Sequence, residues 1–343
     1  MTCNRCEESR ENGARFCPYC GDFLGNGPPP YAPVQRRSYG FIFWAGLVAA
    51  VQGMLIMLFQ VAAAWTEMGE VLDYLAGKSN ILYYITPHIE TLVTVGDVGL
   101  MVIYVLFSMT VTACLAIMLY QAVKRVRESG GDLKALEHTA AFEVPVSLGL
   151  FLGFELTMLM IFVSRGGSLD GGGIDIDSPG TIYSLLFASV YEELICRLAL
   201  IGVPCLAVAL LLGRKEGWWR YLLGGAEYER WMFVFILFSA IMFGAAHLDN
   251  WGSWKFLPTF GFGILAGYLF VKYGLHASIA AHFINDFLVS SQWAYGNNWM
   301  FVLGILAVGF CSLPYLVRYA VLIYEHLKES VSLLGKGKIT EDD

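Results

Sequence analysis

Residues 181–212 read TIYSLLFASVYEELICRLALIGVPCLAVALLL, an apolar stretch whose charged side chains are Glu192, Glu193 and Arg197. A helix needs about 20 mostly apolar residues to cross the hydrocarbon of a bilayer, and this stretch is long enough to do so. Charged side chains at that depth are costly and are by default candidates for a functional site. The stretch therefore predicts a membrane-spanning helix that carries part of such a site.

The chain as a whole has the composition of a membrane protein. Of its 343 residues, 57% are hydrophobic and 15% are charged, whereas soluble domains carry about 25% charged residues. Similar apolar stretches recur at residues 38–66, 98–123, 144–164, 231–247, 256–271, 275–295 and 299–323. We therefore predict an all-α polytopic membrane protein with about eight transmembrane helices, whose transmembrane domain covers residues 39–323.

Charge and topology restrict the possible partners and the location. The net charge of -7 offers no basic surface, so no nucleic-acid partner is expected. With a cytoplasmic N-terminus, eight helices place most of the 22 Lys and Arg residues on the cytoplasmic side, as the positive-inside rule requires. The first thirty residues are polar and do not resemble a cleavable signal peptide. We expect a multi-pass protein of the cell membrane, with both termini and the tail, residues 324–343, in the cytoplasm.

Residues 1–24 form a separate unit with two C-x2-C pairs, made of Cys3, Cys6, Cys17 and Cys20. Two such pairs can bring four thiolates to one tetrahedral Zn²⁺, which would supply the folding free energy that so short a segment lacks. A disulfide pair is disfavoured in the reducing cytosol, and a redox motif lacks its surrounding βαβ pattern. We predict a cytoplasmic zinc ribbon with a structural Zn²⁺, followed by a Pro-rich linker over residues 25–38. The unit resembles small ribbons of prokaryotic membrane proteins, which implies a protein partner.

Ionisable residues at membrane depth fall on three predicted helices: Glu192, Glu193, Arg197, His247, His282 and Asp286. Glu193 and Arg197 are four residues apart and share a helical face, so they are predicted to pair. Glu192 is rotated by about 100° and faces a different neighbour. His282 and Asp286 are again four residues apart. A Glu and a His can share a water molecule, deprotonate it and later protonate a leaving amine, so this set predicts a hydrolytic site.

The spacing of these residues is specific when three motifs are taken together: Glu192-Glu193-x-x-x-Arg197, Phe243-x-x-x-His247 and His282-x-x-x-Asp286. The combination resembles the CAAX protease and bacteriocin-processing (ABI) family of intramembrane endopeptidases over about residues 178–295. The resemblance implies a membrane-associated peptide or prenylated protein as substrate, in addition to the lipid bilayer. It also implies that Glu192 and His247 activate water and that His282 and position 286 form the oxyanion site. An active-site metal stays open, because the family has been described both as metalloproteases and as metal-free glutamate enzymes.

Position 286 departs from the pattern, because many members of that family have Asn there. An ionised Asp cannot donate a hydrogen bond to an oxyanion. The oxyanion role then needs a protonated Asp286, the neighbouring Asn285, or a metal bound by Asp286. Alternatively, an ionised Asp286 orients His282. We expect the protonated donor.

Two other classes of function are compatible with the sequence. The first is a non-catalytic membrane scaffold or bacteriocin-immunity-type protein that recruits partners through the ribbon. The second is a proton-coupled transporter that uses Glu155, Glu192 and His282 as a relay, although no internal repeat is visible. Intact motifs favour the peptidase.

The zinc ribbon leads to a direct test. We expect the purified full-length protein to contain one Zn²⁺, and Cys17→Ser to lose it and unfold the N-terminal unit while the helical body keeps its melting temperature. Metal analysis and thermal unfolding measure both. Cys205→Ser, in an apolar stretch, serves as the control and should keep the metal. Protein prepared under reducing, chelator-free conditions without zinc would contradict the prediction.

Overall fold

The structure is a computed structural model that describes residues 6–11, 24, 40–85, 88–166, 178–295, 306–307, 309–317 and 319–321. The chain divides into two compact units, Met1–Gly40 and Phe41–Asp343. In the first unit, helix α1 spans Cys6–Glu11, and Cys6 is buried. The other predicted zinc ligands, the linker and the tail lie outside the described residues: Cys3, Cys17, Cys20, 25–38 and 324–343. The zinc ribbon therefore stays a prediction.

The second unit is mostly helical. Its first half contains α2 (Phe41–Thr66), α3 (Met68–Leu75), α4 (Asp97–Glu128), a 3₁₀ turn (Leu133–His138) and α5 (Ala140–Ser164). A continuous helical stretch follows, made of α6 (Ser178–Glu193), a π-helix (Leu194–Gly202) and α7 (Val203–Leu211). The remaining elements are α8 (Trp219–Leu223), α9 (Met232–Ala246), α10 (Leu248–Trp251), a 3₁₀ turn (Ser253–Lys255), α11 (Phe256–Tyr273) and α12 (Leu275–Tyr295).

Length and composition agree with a membrane protein. Five described helices are long and apolar enough to cross a bilayer: 41–66, 97–128, 140–164, 179–211 and 253–273. The helix Met232–Ala246 is apolar but shorter. Seven of the eight predicted spans coincide with helices, and the eighth, 299–323, is described only in part. The total number of spans and the cytoplasmic position of both termini stay predictions.

The unit is largely helical, as predicted, but its described residues also contain one short hairpin that was not predicted. Strands β1 (Ser79–Ile85) and β2 (Ile89–Gly96) form an antiparallel hairpin between α3 and α4. The segment is rich in residues that favour strands, such as Ile81, Tyr83 and Val93. These strands are much shorter than an apolar run of membrane-spanning length, so that criterion does not predict them.

Close packing between helices brings the candidate site residues together. Helix α12 lies against α6, and α11 lies against α9. A Cβ atom on Gly263 would stand 2.8 Å from Cα of Ala240, so the backbones of α9 and α11 approach as closely as small residues allow. Ala277, Ala280 and Ala281 are fully buried in α12. The polar residues of α6, α9 and α12 are thereby brought to one region.

Candidate active site

The predicted site residues come from four parts of the fold. Glu192 and Glu193 end α6, Arg197 lies in the π-helix, His247 follows α9, and α12 carries the last two, His282 and Asp286. π-helical turns are uncommon and are frequent at functional sites. The structure brings all six side chains into one connected region.

Glu193 is the centre of a buried polar chain. Its Oε2 lies 3.2 Å from Nε of Arg197, and neither side chain is exposed, which confirms the predicted pair. Its Oε1 lies 3.0 Å from Nδ1 of His282. Arg197 also donates to Oγ of Ser239 at 3.1 Å, and that hydroxyl donates to the carbonyl oxygen of Cys196 at 2.6 Å. Because a buried charge is tolerated only with such partners, this chain fixes the relative positions of the three helical segments.

The imidazole of His282 is held between carboxylates and aromatic rings. Its Nε2 lies 3.4 Å from Oδ2 of Asp286 and 3.8 Å from Oε2 of Glu192. The ring centroid lies 5.9 Å from that of Phe243 and 5.0 Å from that of Phe262. With Nδ1 engaged by Glu193, the ring has its Nε2 edge turned toward the remaining carboxylates.

Glu192 faces a neighbour that the sequence did not predict. The hydroxyl of Tyr83, in β1, donates a hydrogen bond to Oε1 of Glu192 at 3.0 Å. The two residues are 109 positions apart, and the only sequence signal was the strand-forming composition of the hairpin. Glu192 thus shares Oε1 with Tyr83 and presents Oε2 toward His282.

His247 lines a small cavity. Its Nδ1 lies 2.8 Å from the carbonyl oxygen of Phe243; because a carbonyl only accepts, Nδ1 carries the proton and a neutral ring has Nε2 free to accept. The cavity measures about 60 Å³ and is also lined by His282, Asn285 and Asp286. A water molecule occupies about 30 Å³ in the liquid, so the cavity has room for one beside these polar groups.

An ion pair also lines the cavity. Nζ of Lys255 lies 3.6 Å from Oε1 of Glu155, and both residues line the cavity. Glu155 had no identifiable partner in the sequence, and Lys255 follows α10 by only a few residues. The pair places a cation and an anion beside His247 without a large net charge.

Within the described ranges, no group of three or more His, Cys, Asp or Glu side chains is arranged to hold a metal ion.

Comparison with known proteins agrees with the motif-based resemblance. Residues 177–288 match the family described as Rce1-like, "Type II CAAX prenyl endopeptidase Rce1-like". The matched segment contains all six site residues. No curated protein and no solved structure matches the chain. The match supports an intramembrane protease of the CAAX type in general.

Loss of the buried Glu193–Arg197 pair should destabilise the protein more than loss of an exposed pair. Arg197→Ala leaves Glu193 buried without its cation and should lower the free energy of unfolding by about 3–5 kcal/mol. Thermal or denaturant unfolding in detergent measures the change. The matched control is Lys124→Ala, which removes a pair with the same i,i+4 spacing, Lys124–Glu128, whose side chains are more than half exposed; its cost should stay below about 1 kcal/mol. Equal losses for both variants would contradict the role assigned to burial.

Proposed function

We propose that the protein is an intramembrane endopeptidase that hydrolyses peptide bonds of membrane-associated substrates, in CAAX-type prenyl-protein processing or related peptide maturation. One observation carries the proposal: Oε2 of Glu192 lies 3.8 Å from Nε2 of His282, and His282 lines a water-sized cavity together with His247. The family match over residues 177–288 supports the same reaction class.

The proposed reaction begins with water. Glu192, assisted by His247, accepts a proton from a water molecule as its oxygen attacks the carbonyl carbon of the scissile peptide bond. The carbonyl π electrons move to oxygen and form a tetrahedral oxyanion. The proton then passes to the leaving nitrogen, the C–N bond breaks, and a carboxylic acid and an amine are released.

His282 and Asp286 are proposed to stabilise the oxyanion. The bond between Nδ1 of His282 and Glu193 orients the ring, so that in the protonated ring, where both nitrogens are donors, Nε2–H can point at developing charge. A donor held in place before the reaction stabilises that charge without reorganisation. Asp286, 3.4 Å from the same nitrogen, supplies a second donor when it is protonated.

Glu193 and Arg197 are proposed to hold the site in place without contacting the reacting groups directly. Their side chains are fully buried, and neither lines the cavity described above. Glu193 positions His282 through its hydrogen bond, and Arg197 in turn positions Glu193 through their ion pair. Their substitution should therefore affect stability and activity together.

Glu192→Gln tests the proposed reaction. A carboxamide has nearly the same shape but cannot accept the proton, so cleavage should fall by about 10²–10⁴-fold while the melting temperature changes little. The assay uses membrane-embedded peptides whose fluorescence is quenched until they are cleaved, including a farnesylated CAAX peptide. Glu128→Gln, at the exposed end of α4, is the matched control and should keep full activity. Equal cleavage by the wild type and Glu192→Gln would refute the mechanism, and a wild type that cleaves no peptide would favour the scaffold.

Asp286→Asn tests the proposed donor. Asn keeps the shape of the side chain and supplies a permanent N–H donor, so we expect activity within about tenfold of the wild type, extending to higher pH, since a carboxamide does not ionise. A pH–rate profile of both proteins measures it. A loss of activity at every pH with unchanged metal content would assign Asp286 to the orientation of His282 instead, and a loss accompanied by loss of a second metal would make it a metal ligand.

A further inference from the structure

The hairpin residue Tyr83 contacts the carboxylate to which the proposed function gives the central role. Its hydroxyl lies 3.0 Å from Oε1 of Glu192 and donates to it. Burial and the adjacent Glu192 carboxylate raise the pKa of the Tyr83 phenol, so the phenol keeps its proton and stays a donor. The contact uses one carboxylate oxygen and leaves Oε2 directed at His282, 3.8 Å from its Nε2.

The backbone of Tyr83 is held by the helix that carries Glu192. Tyr191, the residue before Glu192, donates from its hydroxyl to the carbonyl oxygen of Tyr83 at 2.8 Å. The rings of Tyr83 and Tyr191 meet edge to face with centroids 5.1 Å apart, and Phe187 packs beside them at 6.4 Å. The phenol of Tyr83 and the carboxylate of Glu192 are thus both held at the C-terminal end of α6.

The hairpin bends at this residue. Leu82 pairs with Val93, but Tyr83 pairs with Thr91, so the register shifts between them and Leu92 is the extra residue of β2. Such bulges increase the local twist and re-aim side chains, often beside active sites. The irregularity falls at the position whose side chain reaches Glu192.

Both ends of the hairpin are also fastened. At the base, the backbone N–H of Gly77 donates to Oδ2 of Asp97 at 3.1 Å. At the tip, Nδ1 of His88 lies 3.0 Å from Oδ2 of Asp249, and that carboxylate raises the pKa of His88. Asp249 is in α10, two residues after His247. The hairpin therefore touches the segments of both proposed water-activating residues.

We propose that Tyr83 is a positioning residue, which holds Oε1 of Glu192 so that Oε2 stays turned toward His282 and the reacting water. This inference rests on the proposed function. A carboxylate held by one hydrogen bond samples fewer orientations than a free one, and small misplacements of a reacting group can cost about 10²-fold in rate. Tyr83 therefore affects the chemical step and not the binding of the substrate.

The test compares two neighbouring tyrosines. In the full-length protein, with the farnesylated CAAX peptide as probe, Tyr83→Phe should lower kcat by about 10–100-fold and change KM by less than about twofold. Tyr84→Phe, in the same strand but 40% exposed, is the matched control and should keep both constants. In a Glu192→Gln background, Tyr83→Phe should have no further effect, because the base that it positions is already absent. A kcat of Tyr83→Phe within about twofold of the wild type, or a change in KM alone, overturns the inference.

A second measurement keeps this inference separate from the proposed function. Melting temperatures are compared for Tyr83→Phe in the wild-type and Glu192→Ala backgrounds. The shift caused by Tyr83→Phe should shrink or reverse when Glu192 is absent, because the two changes remove the same contact. Equal shifts in both backgrounds overturn the inference, even if the peptide is not cleaved. A wild type that does not cleave the peptide, together with coupled melting shifts, refutes the proposed function alone.

Discussion

The contact between the buried Glu193–Arg197 pair and His282 supports the rest of the site. Glu193 uses one carboxylate oxygen for Arg197 and the other for Nδ1 of His282. Since charge in a low-dielectric interior is stable only when it is paired and hydrogen-bonded, the π-helix and α12 cannot move apart without leaving one member unpaired. Ser239 extends the chain to α9. The polar centre is therefore a structural constraint on three helical segments as well as part of a chemical site.

That constraint gives the adjacent carboxylates Glu192 and Glu193 different partners, although they lie close in space. Glu193 and Arg197 are occupied by each other, whereas Glu192, rotated away on the same helix, keeps Oε2 available near His282. Glu155 and Lys255, which line the cavity, pair with one another. The charges of these two ion pairs are neutralised locally, and the proposed water-activating groups belong to neither pair.

The hairpin adds a constraint from outside the helices. Tyr83 binds Glu192, and His88 binds Asp249 next to His247. Strands β1 and β2 pair their facing backbone groups with each other between α3 and α4. A non-helical element thus connects with residues from two helical segments of the site.

The sequence by itself determined that the chain is a helical membrane protein, and it predicted the six candidate site residues. Apolar runs of spanning length predict helices because the hydrocarbon forces the backbone to satisfy its own hydrogen bonds, and i,i+4 spacing predicts the Glu193–Arg197 and His282–Asp286 contacts. Both effects are local. The partners of Glu192, Glu155 and His282 across elements were decided only by the tertiary structure. Tyr83 and Glu192 are 109 residues apart, and their contact depends on a hairpin register, a bulge and a helix orientation set by packing between distant elements. Short-range periodicity contains no information on such long-range packing, so the site residues could be named from the sequence but their mutual geometry could not.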